Sequence, residues 1–150
     1  MNNTPFAVFV VAHAYDDDSI FIAATTRDDG RVGLPGGKLD SGETPVEAAV
    51  RESAEEGWDV AIPANALPYH TAMVDGKLVW WFLANGRPVK RSSWKEQARG
   101  IKPVWVSDSV AAATGFGNQF LADIDFCLDD IFCQRGLADN FSDFAVAGCL

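Results

Sequence analysis

Residues 37–59 read GKLDSGETPVEAAVRESAEEGWD, a polar, turn-rich lead running into a helix with both of its ends marked. Thr44 is a good N-cap, Pro45 suits the first helical position, and Glu47 stands at N3, so the capping box is complete. No breaker interrupts Val46 to Glu56, and Gly57 supplies a left-handed stop. A helix over residues 45–56 is therefore predicted, with Leu34-Pro35-Gly36-Gly37 as the rigid, glycine-bearing loop before it.

The charges on this helix are placed against its own stability. Glu52, Glu55 and Glu56 are spaced by three and four, which crowds three carboxylates within a turn. They also occupy the last turn, where the helix dipole disfavours negative charge. Selection for stability alone would put bases there. The stripe Val46, Ala49, Val50 and Ser53 is small and apolar, suited to packing on a sheet, so the acids are expected to face outward into a cleft. Arg51, four residues after Glu47 and four before Glu55, can brace them by charge-assisted hydrogen bonds. Carboxylate-rich, all-oxygen sites suit hard cations such as Mg²⁺ or Mn²⁺, commonly bound together with substrate phosphates. A solvated helix laced by salt bridges is the plainer alternative.

Outward from the helix, residues 6–14 and 19–25 read as strands joined by the acidic turn Asp16-Asp17-Asp18. Residues 67–74 and 77–84 flank Asp75-Gly76, a strong hairpin signal. Pro103-Val104-Trp105-Val106 reads as a short strand. Residues 118–134 resemble a helix with Phe120, Leu121, Ile124, Leu128, Ile131 and Phe132 near one face. Strands gathered around helices make this an α/β chain. Its 150 residues fit one domain, 1–150, with 118–150 as a C-terminal helical extension that either packs on the core or mediates a homodimer.

A formal charge of −9 argues against a surface for polymeric nucleic acid. Six of the twelve basic residues nevertheless fall within 87–102, where they form either a solvated loop or a local attractor for a small polyanion. No run is long and apolar enough to span a membrane. The apolar stretch 6–14 lacks the basic lead of a signal peptide and reads better as a buried strand, so a cytoplasmic location is expected. Cys127, Cys133 and Cys149 match no metal or redox spacing.

Residues 37–59 as a whole resemble the Nudix box, G-x5-E-x7-R-E-U-x-E-E-x-G-U, where U is aliphatic. Gly37, Glu43, Arg51, Glu52, Glu55 and Glu56 match, six of nine fixed positions, while Ser53, Trp58 and Asp59 depart. The resemblance is specific over 36–59, loose over 6–107 and absent beyond about 115. It implies an α/β/α sandwich with a mixed sheet between helices, and Mg²⁺-dependent (or Mn²⁺-dependent) hydrolysis of a pyrophosphate bond in a nucleoside diphosphate derivative, a nucleoside triphosphate or dinucleoside polyphosphate being favoured. Carried over by position, Glu52, Glu55 and Glu56 are metal ligands together with the Gly36 carbonyl, and Glu43 and Arg51 organise the loop and helix. A glutamate on a later loop acts as general base in many members, and Glu96 is the candidate here. Lys90, Arg91 and Lys95 would meet phosphate oxygens, Trp94 would stack on a base, and of the adjacent Trp80 and Trp81 one would line the pocket for such stacking while the other is core. The departures imply a helix ending one residue early, with Val60 supplying the apolar contact, and closer packing or a local hydrogen bond at Ser53. The alternative is a Nudix-fold nucleotide-binding or regulatory domain with little or no catalysis.

Overall fold

The computed structural model describes residues 4–16, 19–26 and 32–107. Chain order is β1 (Ala7–Val11), β2 (His13–Asp16), β3 (Ser19–Thr26), β4 (Val32–Gly33), β5 (Gly36–Lys38), α1 (Pro45–Glu55), β6 (Trp58–Ala61), β7 (His70–Val74), β8 (Lys77–Leu83), β9 (Asn85–Lys90), a 3-10 turn (Lys95–Arg99) and β10 (Lys102–Ser107). The class is mixed α/β, as expected. The second helix of the sandwich, anticipated at 118–134, lies outside the described residues, as do the three cysteines.

The apolar run expected as one strand over 6–14 divides at Ala12. Upstream, β1 lies in a mixed sheet of order β5-β1-β8-β7, parallel to β8 and antiparallel to β5. Downstream, β2 joins an antiparallel sheet of order β10-β3-β2, with β4 on β3. Ala12 is fully buried and its carbonyl accepts from the Ala23 amide at 2.8 Å, so the chain changes sheets without stranding a backbone group. Hydropathy alone cannot mark such a handover, because the apolar run continues without a break through the buried Ala12. Val8 and Val10 pack toward α1 with Ala49, Trp58 and Phe82, whereas Val11 packs on the other face with Ile22, Leu34 and Trp81. Adjacent Trp80 and Trp81 also divide between the faces, with Trp81 fully buried and Trp80 partly covered on the α1 side. The Asp75-Gly76 hairpin forms as read, both residues at positive φ, 49° and 77°.

Helix α1 begins as its sequence dictates. The Glu47 amide donates to Thr44 Oγ1 at 3.1 Å, and the Thr44 amide donates to Glu47 Oε1 at 2.9 Å. Its buried face, however, is rotated from the expected stripe: Val46, Ala49 and Ser53 are inside, Val50 is exposed, and Ala48 is fully buried instead. On a helical wheel the covered arc therefore extends from Val46 past Ala49 to Ala48, and Glu52 and Glu56 fall within it. The expectation that all three acids look outward is corrected accordingly. Strand β5 lies against that side, Gly37 beside the Glu52 carboxyl and the Gly36 amide on Glu56.

The departures at the end of the box are accommodated in the core. Gly57 takes φ 106°, and a Cβ there would stand 2.7 Å from the Pro103 ring. Trp58 is fully buried, edge-on to Trp105 with centroids 4.8 Å apart, and its indole N–H donates to the Ala24 carbonyl at 2.8 Å. Val60 is half-buried against the same layer. Ser53 is fully buried and its hydroxyl has no hydrogen-bond partner among the described residues, so close packing is the operative half of the expectation. A buried hydroxyl without a partner costs about 1–3 kcal/mol. Ser53→Ala is accordingly expected to stabilise the fold by about 1 kcal/mol, read as a higher urea midpoint at unchanged m-value. A lower midpoint would show that the hydroxyl is satisfied.

Candidate active site

Backbone approach sets the site's floor. Gly36, at φ 154°, lies so close to β1 that a Cβ would collide with the Val8 carbonyl and come within 2.7 Å of Phe9 Cα. A Cβ on Gly37 would stand 2.6 Å from the Glu52 carboxyl carbon. The glycines thus open the space into which Glu52 reaches, and the Gly36 amide donates to Glu56 Oε1 at 2.8 Å.

Arg51 ties the preceding loop to the helix. Its Nε and Nη2 donate to Glu43 Oε2 and Oε1 at 2.6 and 2.9 Å, a two-pronged pairing, and Nη2 also donates to the Lys38 carbonyl at 3.0 Å. On the other prong, Nη1 donates to Glu55 Oε2 at 2.7 Å and to Glu52 Oε1 at 3.2 Å. Asp40 Oδ2 lies 3.4 Å from Nε, and the Asp40 amide donates to Glu43 Oε1 at 2.9 Å. Hydrogen bonding from Arg51 holds the Glu43 carboxyl below the usual carboxylate range, and the same bond raises the guanidinium further above its already high value. Glu52 is shifted the other way: burial raises its carboxyl, and Arg51 only partly offsets that. Lys95 Nζ stands 3.2 Å from Glu55 Oε1.

Four carboxylates (Asp40, Glu43, Glu52 and Glu55) thus gather on Arg51, Lys95 shares Glu55, and Glu56 adds a fifth acid held by the Gly36 amide. The donor set fits a hard divalent ion: it is all oxygen, over-supplied with negative charge, and partly dehydrated. It is not closed on a point. Among the described residues no three acidic, histidine or cysteine side chains converge as a metal cluster, because each box carboxylate is turned toward a protein cation or amide.

The remaining sequence candidates divide. Lys95 reaches the cluster, whereas Glu96, one residue on, is paired with Arg99 at 2.8 Å. Arg91 pairs with Asp59 at 2.7 Å, bracing β6 to the end of β9, and Lys90 lies 6.0 Å from the Trp58 ring. The Trp94 indole N–H donates to the Ile101 carbonyl at 2.6 Å and closes the loop bearing the 3-10 turn. Sequence reading did not single out Asp40 or the Lys38 carbonyl, which lie between the end of β5 and Glu43. A separate cavity of about 140 Å³ is lined by Ala14, Tyr15, Phe21, Arg87 and Trp105, none of them a box residue.

The NUDIX domain model matches residues 4–93, and the chain belongs to the Nudix family. It is a Nudix-type pyrophosphohydrolase, an enzyme of the class that cleaves acid anhydrides. Among solved structures it is similar to a MutT from Aliivibrio salmonicida or Vibrio cholerae, 23% identical at a TM-score of 0.61, covering 85% of this chain and 99% of that one. An Ap4A hydrolase of C. elegans is 17% identical at a TM-score of 0.57, covering 89% and 98%. The NUDIX domain of Shewanella oneidensis NrtR, in complex with ADP ribose, is 14% identical at a TM-score of 0.58, covering 87% and 90%. At these identities the likeness is one of fold. No curated protein sequence matches the chain.

The opposed shifts of Glu43 and Glu52 have opposite consequences for stability. Glu43, lowered in the fold, contributes stability above its unfolded value, and this is lost as pH falls through its folded one. Glu52, raised in the fold, binds its proton more tightly there, so its ionisation costs stability as pH rises from the unfolded value through the folded one. Glu52→Gln is therefore expected to raise the thermal midpoint of the metal-free protein at pH 7.5, with the advantage shrinking toward pH 4. An equal or lower midpoint at pH 7.5 contradicts this account of Glu52.

Proposed function

We propose that the chain hydrolyses a pyrophosphate bond in a nucleoside diphosphate derivative with Mg²⁺ as the working ion and Mn²⁺ as a substitute. The observation that carries this reading is the excess of carboxylate over cation around Arg51 beside the glycine-opened strand β5. Glu52, Glu55, Glu56 and the Gly36 carbonyl would hold the ion. When bound, a divalent ion supplies charge neutralisation of phosphoryl oxygens and acidifies a coordinated water.

The chain's own residues supply the rest. Arg51, anchored on Glu43 and the Lys38 carbonyl, fixes the directions of Glu52 and Glu55, so little reorganisation is needed when charge develops. Glu96 takes the proton of the attacking water, after release from Arg99. Lys90, Arg91 and Lys95 receive phosphate oxygens, and Trp94 holds the shape of the loop they flank. A nucleoside triphosphate or dinucleoside polyphosphate is the favoured substrate class, supported by the similar fold of a protein named as an Ap4A hydrolase.

In this reading residues 1–150 form a single domain, with 118–150 as an extension that packs on the core or joins two copies. The protein works in the cytoplasm on small nucleotides rather than on polymeric nucleic acid. No helix among the described residues is long and apolar enough to cross a membrane. The second reading, a nucleotide-binding domain with little catalysis, is favoured by one observation: the box carboxylates already have protein partners.

A panel of nucleotide pyrophosphates assayed with Mg²⁺ and with Mn²⁺ separates the two. Metal-dependent release of phosphate products is expected, falling by about two orders of magnitude or more in Glu55→Gln or Glu56→Gln while circular dichroism is unchanged. Parent-like rates in both variants would remove these residues from the reaction. No turnover of any substrate would favour the binding domain.

A further inference from the structure

The two cations on Glu55 are held very differently. Arg51 takes Oε2 at 2.7 Å while also gripping Glu43 with two bonds and the Lys38 carbonyl with a third, and its side chain is only 29% exposed. Lys95 takes Oε1 at 3.2 Å, is 72% exposed, and has Glu55 as its one ion-pair partner among the described residues. Its backbone, by contrast, is fixed. The 3-10 turn it opens is closed behind it by the Gly100 amide on the Gln97 carbonyl, and the loop is closed by the Trp94–Ile101 bond. Anything that displaces Lys95 from Glu55 therefore moves a flexible side chain, with the loop and α1 staying in place.

Resting on the hydrolase reading, we infer that Lys95 is a displaceable counter-cation. It neutralises Glu55 while the site awaits its ion, yields that oxygen when a divalent cation binds, and then turns its ammonium to the phosphates that accompany the ion. The electrostatics require the exchange. An ammonium near 3 Å from a ligand oxygen repels a divalent ion on the same oxygen, and a pair whose lysine is mostly in solvent, at 3.2 Å, is weak enough to break. Arg51 cannot serve, because its other partners would be left unpaired inside the loop. Lys95 is thus a positioning residue with two alternating partners, and its loss should have opposite effects on the two ligands.

The test measures Mn²⁺ binding to the full chain by electron paramagnetic resonance, first alone and then at saturation with a methylene-bridged, non-hydrolysable nucleoside triphosphate. Lys95→Met is expected to bind Mn²⁺ about three- to tenfold more tightly than the parent and, with Mn²⁺ saturating, to bind the analogue at least about threefold more weakly. Lys95→Arg should keep the parent's pattern, and Lys102→Met, which removes an equal charge without touching Glu55, should change Mn²⁺ affinity less than about twofold. Parent-like Mn²⁺ affinity in Lys95→Met, or a change of both ligands in one direction, overturns the inference and leaves the hydrolase reading standing. Absence of any Mn²⁺ binding sensitive to Glu55→Gln overturns both.

Discussion

One guanidinium holds the loop to the helix, and the arrangement of the acidic site follows from it. Arg51 reaches out of the middle of α1 to Glu43 on the preceding loop, to the Lys38 carbonyl at the end of β5, and to Glu52 and Glu55 on its own helix. Two carboxylates that would otherwise repel each other in a helix's last turn share one cation with fixed directions. The pairing with Glu43 ties the loop to the helix, while Gly37 of β5 leaves room for the Glu52 carboxyl. A lysine could not substitute, since a single ammonium lacks the fork that serves both elements at once.

Shelter has a cost that the fold carries elsewhere. Burial pushes the Glu52 carboxyl up, and Glu56 is buried with an oxygen on the Gly36 amide. Neither placement favours folding by itself. The capping box at Thr44 and Glu47, the Trp58 side chain locked between Trp105 and the Ala24 carbonyl, and the two-faced burial of β1 supply the compensating stability. The same dehydration that penalises free carboxylates strengthens their attraction for a multivalent ion, which is how a destabilised cluster becomes a functional one.

Features encoded within a few residues were legible in the sequence. Thr44, Pro45, Glu47 and Gly57 define α1 because caps and stops are local hydrogen-bonding and dihedral preferences, and Asp75-Gly76 defines its hairpin for the same reason. Arg51 could be seen as a brace from its i, i+4 spacing to Glu55, but its stronger bond to Glu43 spans eight residues across a loop. What remained hidden depends on tertiary placement. Val50 and Ala48 exchange roles because the helix is seated so that Ala48 joins the core with Val8, Val10 and Phe82. The handover at Ala12 follows from which sheet accepts each half of a uniformly apolar run. Glu56 meets Gly36 across twenty residues and Lys95 meets Glu55 across forty, contacts that no local pattern announces. Trp58, which breaks the family pattern, is among the most buried residues of the described core, so the mismatch marks altered packing at the helix end rather than loss of the site.

The central claim is that the acids around Arg51 tolerate one another because they are built to receive divalent cations with the phosphates. Anomalous diffraction at the manganese edge, from crystals grown with Mn²⁺ and a non-hydrolysable nucleotide, tests it most directly. A peak bounded by Glu52, Glu55, Glu56 and the Gly36 carbonyl, with Arg51 still on Glu43, is the expected result. Manganese found elsewhere, with all three glutamates still turned to Arg51, Lys95 and the Gly36 amide, would contradict it.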